Sequence, residues 1–183
     1  MCCWLVSLIV LVGIPTGAGA DDVDPAPIAL RVSTPAYTLD EQGLRVPGYA
    51  VHDAPGAPAL PVWATWVELP PTGEWSVAYD SKEPRRLPAP APILPLPSPQ
   101  VALDAPLTPE EIAERVAAAP LAPQPDPAIY GADAFYPASL VQAGPEQWMR
   151  GRRLLAVRVF PFQYNPVTRE LLHHPEVEVR VTT

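Results

Sequence analysis

Along residues 28–32, Ile28, Leu30 and Val32 alternate with Ala29 and Arg31, and the same period of two returns at Val157 and Val159 and at Val177, Val179 and Val181. A period of two sends successive side chains to opposite faces, the mark of a half-buried strand. Residues 37–39 and 44–46 are two further short runs around Asp40-Glu41-Gln42-Gly43, where Gly43 supplies the positive φ that a hairpin needs. Residues 62–69 and 75–79 are rich in β-branched and aromatic side chains, which suit a pleated surface. Pro70-Pro71-Thr72-Gly73 joins them. Residues 154–160 and 176–182 flank Tyr164-Asn165-Pro166, and this turn chemistry predicts that the chain ends in a hairpin-like pair of strands.

Proline changes the picture between these strands. There are 28 prolines in 183 residues, about three times the usual share. Proline has no N–H for a helix or a ladder. Residues 82–99 carry one every two or three positions and predict an extended polyproline II loop. One short surface helix is expected at about 109–119: Thr108 is its N-cap, Pro109 its first residue, and Glu111 completes a capping box. Pro120 stops it by Ala119. Residues 120–134 read as loop, after which Phe135-Tyr136-Pro137 enters a strand or docks on the sheets. Six or more short strands with one helix predict an all-β chain, a β-sandwich or jelly-roll-like domain. An SH3-like or open barrel fits the same pattern.

Residues 1–20 read as a signal peptide: Trp4 to Ile14 is almost wholly apolar, and Ala18-Gly19-Ala20 ends it with small residues. The apolar run is short for a membrane span of about 20 residues, so cleavage rather than anchoring is expected. Both cysteines, Cys2 and Cys3, lie in this segment. Residues 21–183 thus have no thiol for a disulfide, a metal or a nucleophile. They are enough for one domain, expected to be extracytoplasmic, monomeric and free of the membrane after cleavage. The net charge of −8 argues against nucleic acid as a partner.

Chemistry is sparse. His52, His173 and His174 have no acid at a familiar zinc spacing, and the adjacent pair would point to opposite faces of a strand. They read as turn histidines near Pro175, and no metal or cofactor is expected. Ser33, Ser76, Ser81, Ser98 and Ser139 lack a nucleophile elbow. Of the tryptophans Trp63, Trp66, Trp75 and Trp148, Trp63 and Trp66 have opposite strand parity, so at most one of that pair faces outward. Outward tryptophans would suit an exported binding or adhesion module. Two basic spots remain: Lys82 with Arg85 and Arg86, and Arg150 with Arg152 and Arg153.

Pro58-Ala59-Leu60-Pro61, Tyr136-Pro137 and Arg158-Val-Phe-Pro161-Phe-Gln-Tyr164-Asn165-Pro166 resemble the N-terminal propeptide of gingipain-type cysteine peptidases. The resemblance implies a β-sandwich prodomain that assists folding and keeps its peptidase latent, in cis or in trans, without being an enzyme itself. It also implies that the catalytic Cys and His follow the propeptide. On that analogy the inhibitory loop is residues 81–86, with Lys82, Arg85 or Arg86 offered to the peptidase's catalytic domain.

Overall fold

The alternating valines at the end of the sequence form a strand, Glu176–Thr182, in which Val177, Val179 and Val181 are completely buried. The computed structural model describes residues 27–52, 54–96, 108–118 and 124–183. The expected signal segment, the far end of the proline-rich stretch and the helix stop at Ala119 lie outside these residues. In chain order the described elements are β1 (Ile28–Ser33), β2 (Thr38–Asp40), β3 (Gly43–Arg45), β4 (Ala50–Val51), β5 (Pro61–Leu69), β6 (Ser76–Ser81), β7 (Arg85–Pro88), α1 (Pro109–Ala118), α2 (Pro127–Tyr130), β8 (Val141–Met149), β9 (Arg152–Val159), β10 (Phe162–Asn165), β11 (Glu170–His173) and β12 (Glu176–Thr182).

Two antiparallel sheets make the sandwich. One has the order β1-β12-β6, and the other β4-β5-β9-β8. Val32 faces Val177, Leu30 faces Val179 and Ile28 faces Val181 across the β1–β12 ladder. Against this surface pack Val67 and Leu69 of β5, Val141 of β8, and Leu155, Val157 and Val159 of β9, forming one core. Each fully buried valine or leucine contributes about 1.5–3 kcal/mol of transfer free energy.

A second core lies under the sheet β10-β11-β7. Phe162, Tyr164 and Leu171 meet Leu44 and Val46 of the β2–β3 region, Leu60 and Ile93. Gly43 has φ +114 where that hairpin turns, so the glycine predicted there is needed.

The sandwich and its turn chemistry follow the sequence pattern, but four details differ. The final alternating stretches are not partners: β9 pairs with β5 and β8, whereas β12 pairs with β1 and β6. The β10–β11 hairpin stands between them and carries the chain from one sheet to the other. The proline-rich stretch is not all loop, because residues 85–88 pair with β11; Pro88 sits at the end of this edge strand, where a missing N–H is tolerated. Residues 141–149 form a strand although they contain Gly144-Pro145, which falls in a register shift between Ala143 and Glu146. Such a bulge absorbs a proline without breaking the ladder. Finally, the expected loop at 120–134 contains α2, capped by Asp126, whose carboxylate accepts from the Ala128 N–H at 2.8 Å.

The predicted capping box of α1 is present. The Thr108 N–H donates to Glu111 Oε2 at 2.7 Å, and the Glu111 N–H donates to Thr108 Oγ1 at 3.3 Å. The Thr108 N–H, and then its hydroxyl, which donates to Glu111 Oε2 at 2.8 Å, hold the Glu111 carboxyl below the usual carboxylate range. The helix is exposed along its described side chains, Ile112 included, and so behaves as a surface element.

Candidate functional site

Tyr164 organises the motif residues. Its backbone exchanges hydrogen bonds with Tyr136 at 2.8 and 2.9 Å, forming a bridge outside the named strands. Its hydroxyl accepts from the Ile93 N–H at 3.4 Å, and the Ile93 carbonyl accepts from the Tyr130 hydroxyl at 2.6 Å. Burial, then the neighbouring Tyr164, pushes the Tyr130 hydroxyl above the usual tyrosine range. The Tyr136 hydroxyl lies 3.0 Å from His52 Nε2, and the Tyr136–Pro137 peptide is cis. The Pro137 carbonyl accepts from Gln163 Nε2 at 2.7 Å.

Asn165 supports the next turn. Its side chain donates to Asp133 at 2.7 Å and accepts from the Val167 and Thr168 N–H groups at 3.0 and 3.2 Å. Leu60 is fully buried in the same core as Tyr164, Pro58 is fully buried, and Pro61 opens β5. Pro161 reaches the same region through its carbonyl, which accepts from the His174 N–H at 2.8 Å. The motif therefore builds the junction between the two cores.

The histidines, read from the sequence as turn residues, are buried, and His173 lies within β11. His52, His173 and His174 are each 6% exposed. The His173 ring stacks on Phe162 at 4.6 Å with the planes 12° apart, and meets Tyr37 edge-on at 4.9 Å. Neither of its nitrogens has a hydrogen-bond partner among the described residues. Burial, then the charge of Arg85 on the facing strand, lowers its pKa and keeps the ring neutral.

His174 is bound on both sides. Nε2 lies 3.0 Å from Gln163 Oε1 and Nδ1 lies 3.2 Å from Ser81 Oγ. Because Gln163 Oε1 can only accept, Nε2 carries the proton and Nδ1 accepts from the serine hydroxyl. The set resembles a nucleophile–base pair only superficially. Its third member is an amide that cannot stabilise an imidazolium as a carboxylate would, and burial, then His173, depresses the pKa of His174. It ties β6 to β10.

The three candidate basic residues separate. Lys82 Nζ pairs with Glu176 at 3.0 Å, and its N–H donates to the Glu176 carbonyl at 3.1 Å. Arg86 pairs with Glu170 at 3.0 Å and lies over the Phe135 ring at 5.8 Å. Arg85 is exposed and has no ion pair or hydrogen bond from its side chain among the described residues. All three lie on or beside an edge strand rather than on a free loop.

At the second basic spot, Arg153 is engaged most: it binds Glu146 through Nε at 2.6 Å and NH2 at 2.9 Å, and donates to the carbonyls of Pro70 and Gly73. Arg152 lies 3.5 Å from Glu68. Of the two tryptophans with opposite parity, Trp63 packs on the core and Trp66 is 48% exposed. An open cleft of about 410 Å³ lies beside Val51, Ile93, Leu94 and Leu96.

The family model Propeptide_C25 matches residues 42–183, a span containing every motif residue above. Two solved structures from Porphyromonas gingivalis share the fold. One is the complex of the RgpB pro- and mature domains, with a TM-score of 0.58 at 17% identity, covering 87% of this chain and 80% of that one. The other concerns the zymogenic latency of gingipain K, with a TM-score of 0.60 at 19% identity and 86% of each chain covered. No curated protein matches the chain.

Proposed function

The chain belongs to the Propeptide_C25 family, and on that footing we propose that it is the prodomain of a secreted gingipain-type cysteine peptidase, serving as folding aid and latency inhibitor with no catalysis of its own. The match over residues 42–183 carries this reading. The shared fold with proteins described as a pro- and mature-domain complex and as a latent zymogen supports it. Residues 1–20 act as the signal peptide, and residues 21–183 are the mature, monomeric prodomain.

Inhibition follows from mass action. A tethered domain faces its peptidase at an effective concentration in the millimolar range, so modest intrinsic affinity maintains latency. Cutting the tether removes that advantage. Acting in trans, the domain needs an interface on the order of 800 Å² per partner. We assign Arg85 as the basic side chain presented to the peptidase, with Arg86 on one side tied to Glu170 of β11 and Lys82, ahead of β7, tied to Glu176 of β12. A guanidinium suits bidentate pairing with a carboxylate.

The test uses residues 21–183 as a free protein, added to mature gingipain RgpB and to mature gingipain K. Slowed peptide hydrolysis at micromolar prodomain is the expected result, and undiminished rates with both enzymes would overturn the reading. Arg85→Ala should weaken inhibition about tenfold, the loss of roughly one charge-assisted hydrogen bond.

A further inference from the structure

The β8–β9 hairpin ends in a two-residue turn, Arg150-Gly151, whose φ values of +51 and +78 are those of a type I′ turn. Such turns favour Asn or Gly at the first position, because at positive φ the Cβ of most other residues crowds the backbone. The fold does not require an arginine at this point. Arg150 is exposed and has no ion pair or hydrogen bond from its side chain among the described residues, unlike Arg152 and Arg153 beside it.

Trp148 and Met149 precede it and are 61% and 52% exposed. The last rung that β9 shares with β5 is Leu69 to Arg153, so Met149, Arg150, Gly151 and Arg152 overhang the end of β5. Below them, Glu146 receives hydrogen bonds from Arg153 and from Trp75, and Arg153 holds the β5–β6 loop carbonyls. The base of the hairpin is therefore braced while its tip is left to solvent. Arg and Trp together, standing clear of the body on a braced support, make the kind of contact that dominates binding energy in protein interfaces.

We propose that the β8–β9 hairpin tip is a second docking element, in which Trp148 covers apolar surface on the mature peptidase domain while Arg150 pairs with a carboxylate within it. This rests on the prodomain reading, and it places the contact on a different sheet from Arg85. The occupant fits the observations because an unpaired guanidinium beside exposed apolar area asks for an acidic group with an apolar rim.

The experiment compares wild-type 21–183 with Arg150→Gly and Arg150→Lys as inhibitors of mature gingipain RgpB and gingipain K. Arg150→Gly removes the charge and relieves the turn, so its thermal midpoint should be equal or higher. Its inhibition constant should nevertheless rise about tenfold or more, at low salt most of all, with Arg150→Lys retaining part of the affinity. Trp148→Ser should show a comparable loss without a change in midpoint. If wild type inhibits and Arg150→Gly and Trp148→Ser inhibit equally well, the hairpin is not a contact, while the prodomain reading stands. If wild type inhibits neither enzyme, both proposals fall together.

Discussion

At the scale of single residues, buried polar groups decide most. His173 and His174 are held neutral in the fold, with pKa values lowered chiefly by burial. In the unfolded chain each titrates near the ordinary value of about 6.5. Protons thus bind the unfolded chain more readily as pH falls below about 6.5, and stability present above that pH is lost progressively on acidification. Urea midpoints measured at pH 8, 6.5 and 5 should decrease in that order. His173→Phe, which keeps the stack on Phe162, should flatten part of the slope; an unchanged slope would locate the acid sensitivity elsewhere. Asn165→Ala removes bonds to the Val167 and Thr168 N–H groups and to Asp133. The expected loss is about 1–3 kcal/mol, read as a lower urea midpoint at constant slope. The Tyr-Asn-Pro turn was legible as a turn. That Asn165 also reaches back to Asp133 was not, because a contact 32 residues away leaves no mark in local pattern.

Elements show where the sequence speaks and where it is silent. β12 is evident because one of its faces is buried along its whole length, which forces strict alternation. β8 is hidden for the opposite reason: beyond Gly144 its residues are exposed on both faces, and Gly144-Pro145 imitates a loop. β7 is concealed by its prolines, since an edge strand needs only one bonded side. The candidate basic residues were found from composition, while their division into paired Lys82 and Arg86 and free Arg85 depends on glutamates supplied by β11 and by β12. α1 was readable to its cap. Because it is exposed, Thr108→Ala should loosen the helix by about 1 kcal/mol. Hydrogen exchange at Glu111 and Ile112 should quicken without a shift in the global midpoint.

On the scale of the whole molecule, two cores meet at one junction of motif residues. Leu155 lies in the centre of the sandwich core and is fully buried. Leu155→Ala should destabilise the domain by about 2–5 kcal/mol, measured by denaturant unfolding. Inhibition by the fraction that remains folded should be unchanged, since Leu155 lies on neither proposed contact. A loss of inhibition at full folding would point to an interface reaching through the sheet.

The place of β12 in its sheet has a further consequence. It is the central strand, flanked by β1 from the start of the domain and by β6. Until residues 176–182 are available, the two outer strands have nothing to pair with, and one wall of the sandwich cannot close. A chain emerging in order from the ribosome thus cannot close this wall until β12 has emerged. Pairing strands so far apart in sequence is slow, so β1 and β6 stay without their shared partner through most of the synthesis of this domain, and completion of the sandwich waits on a single late strand.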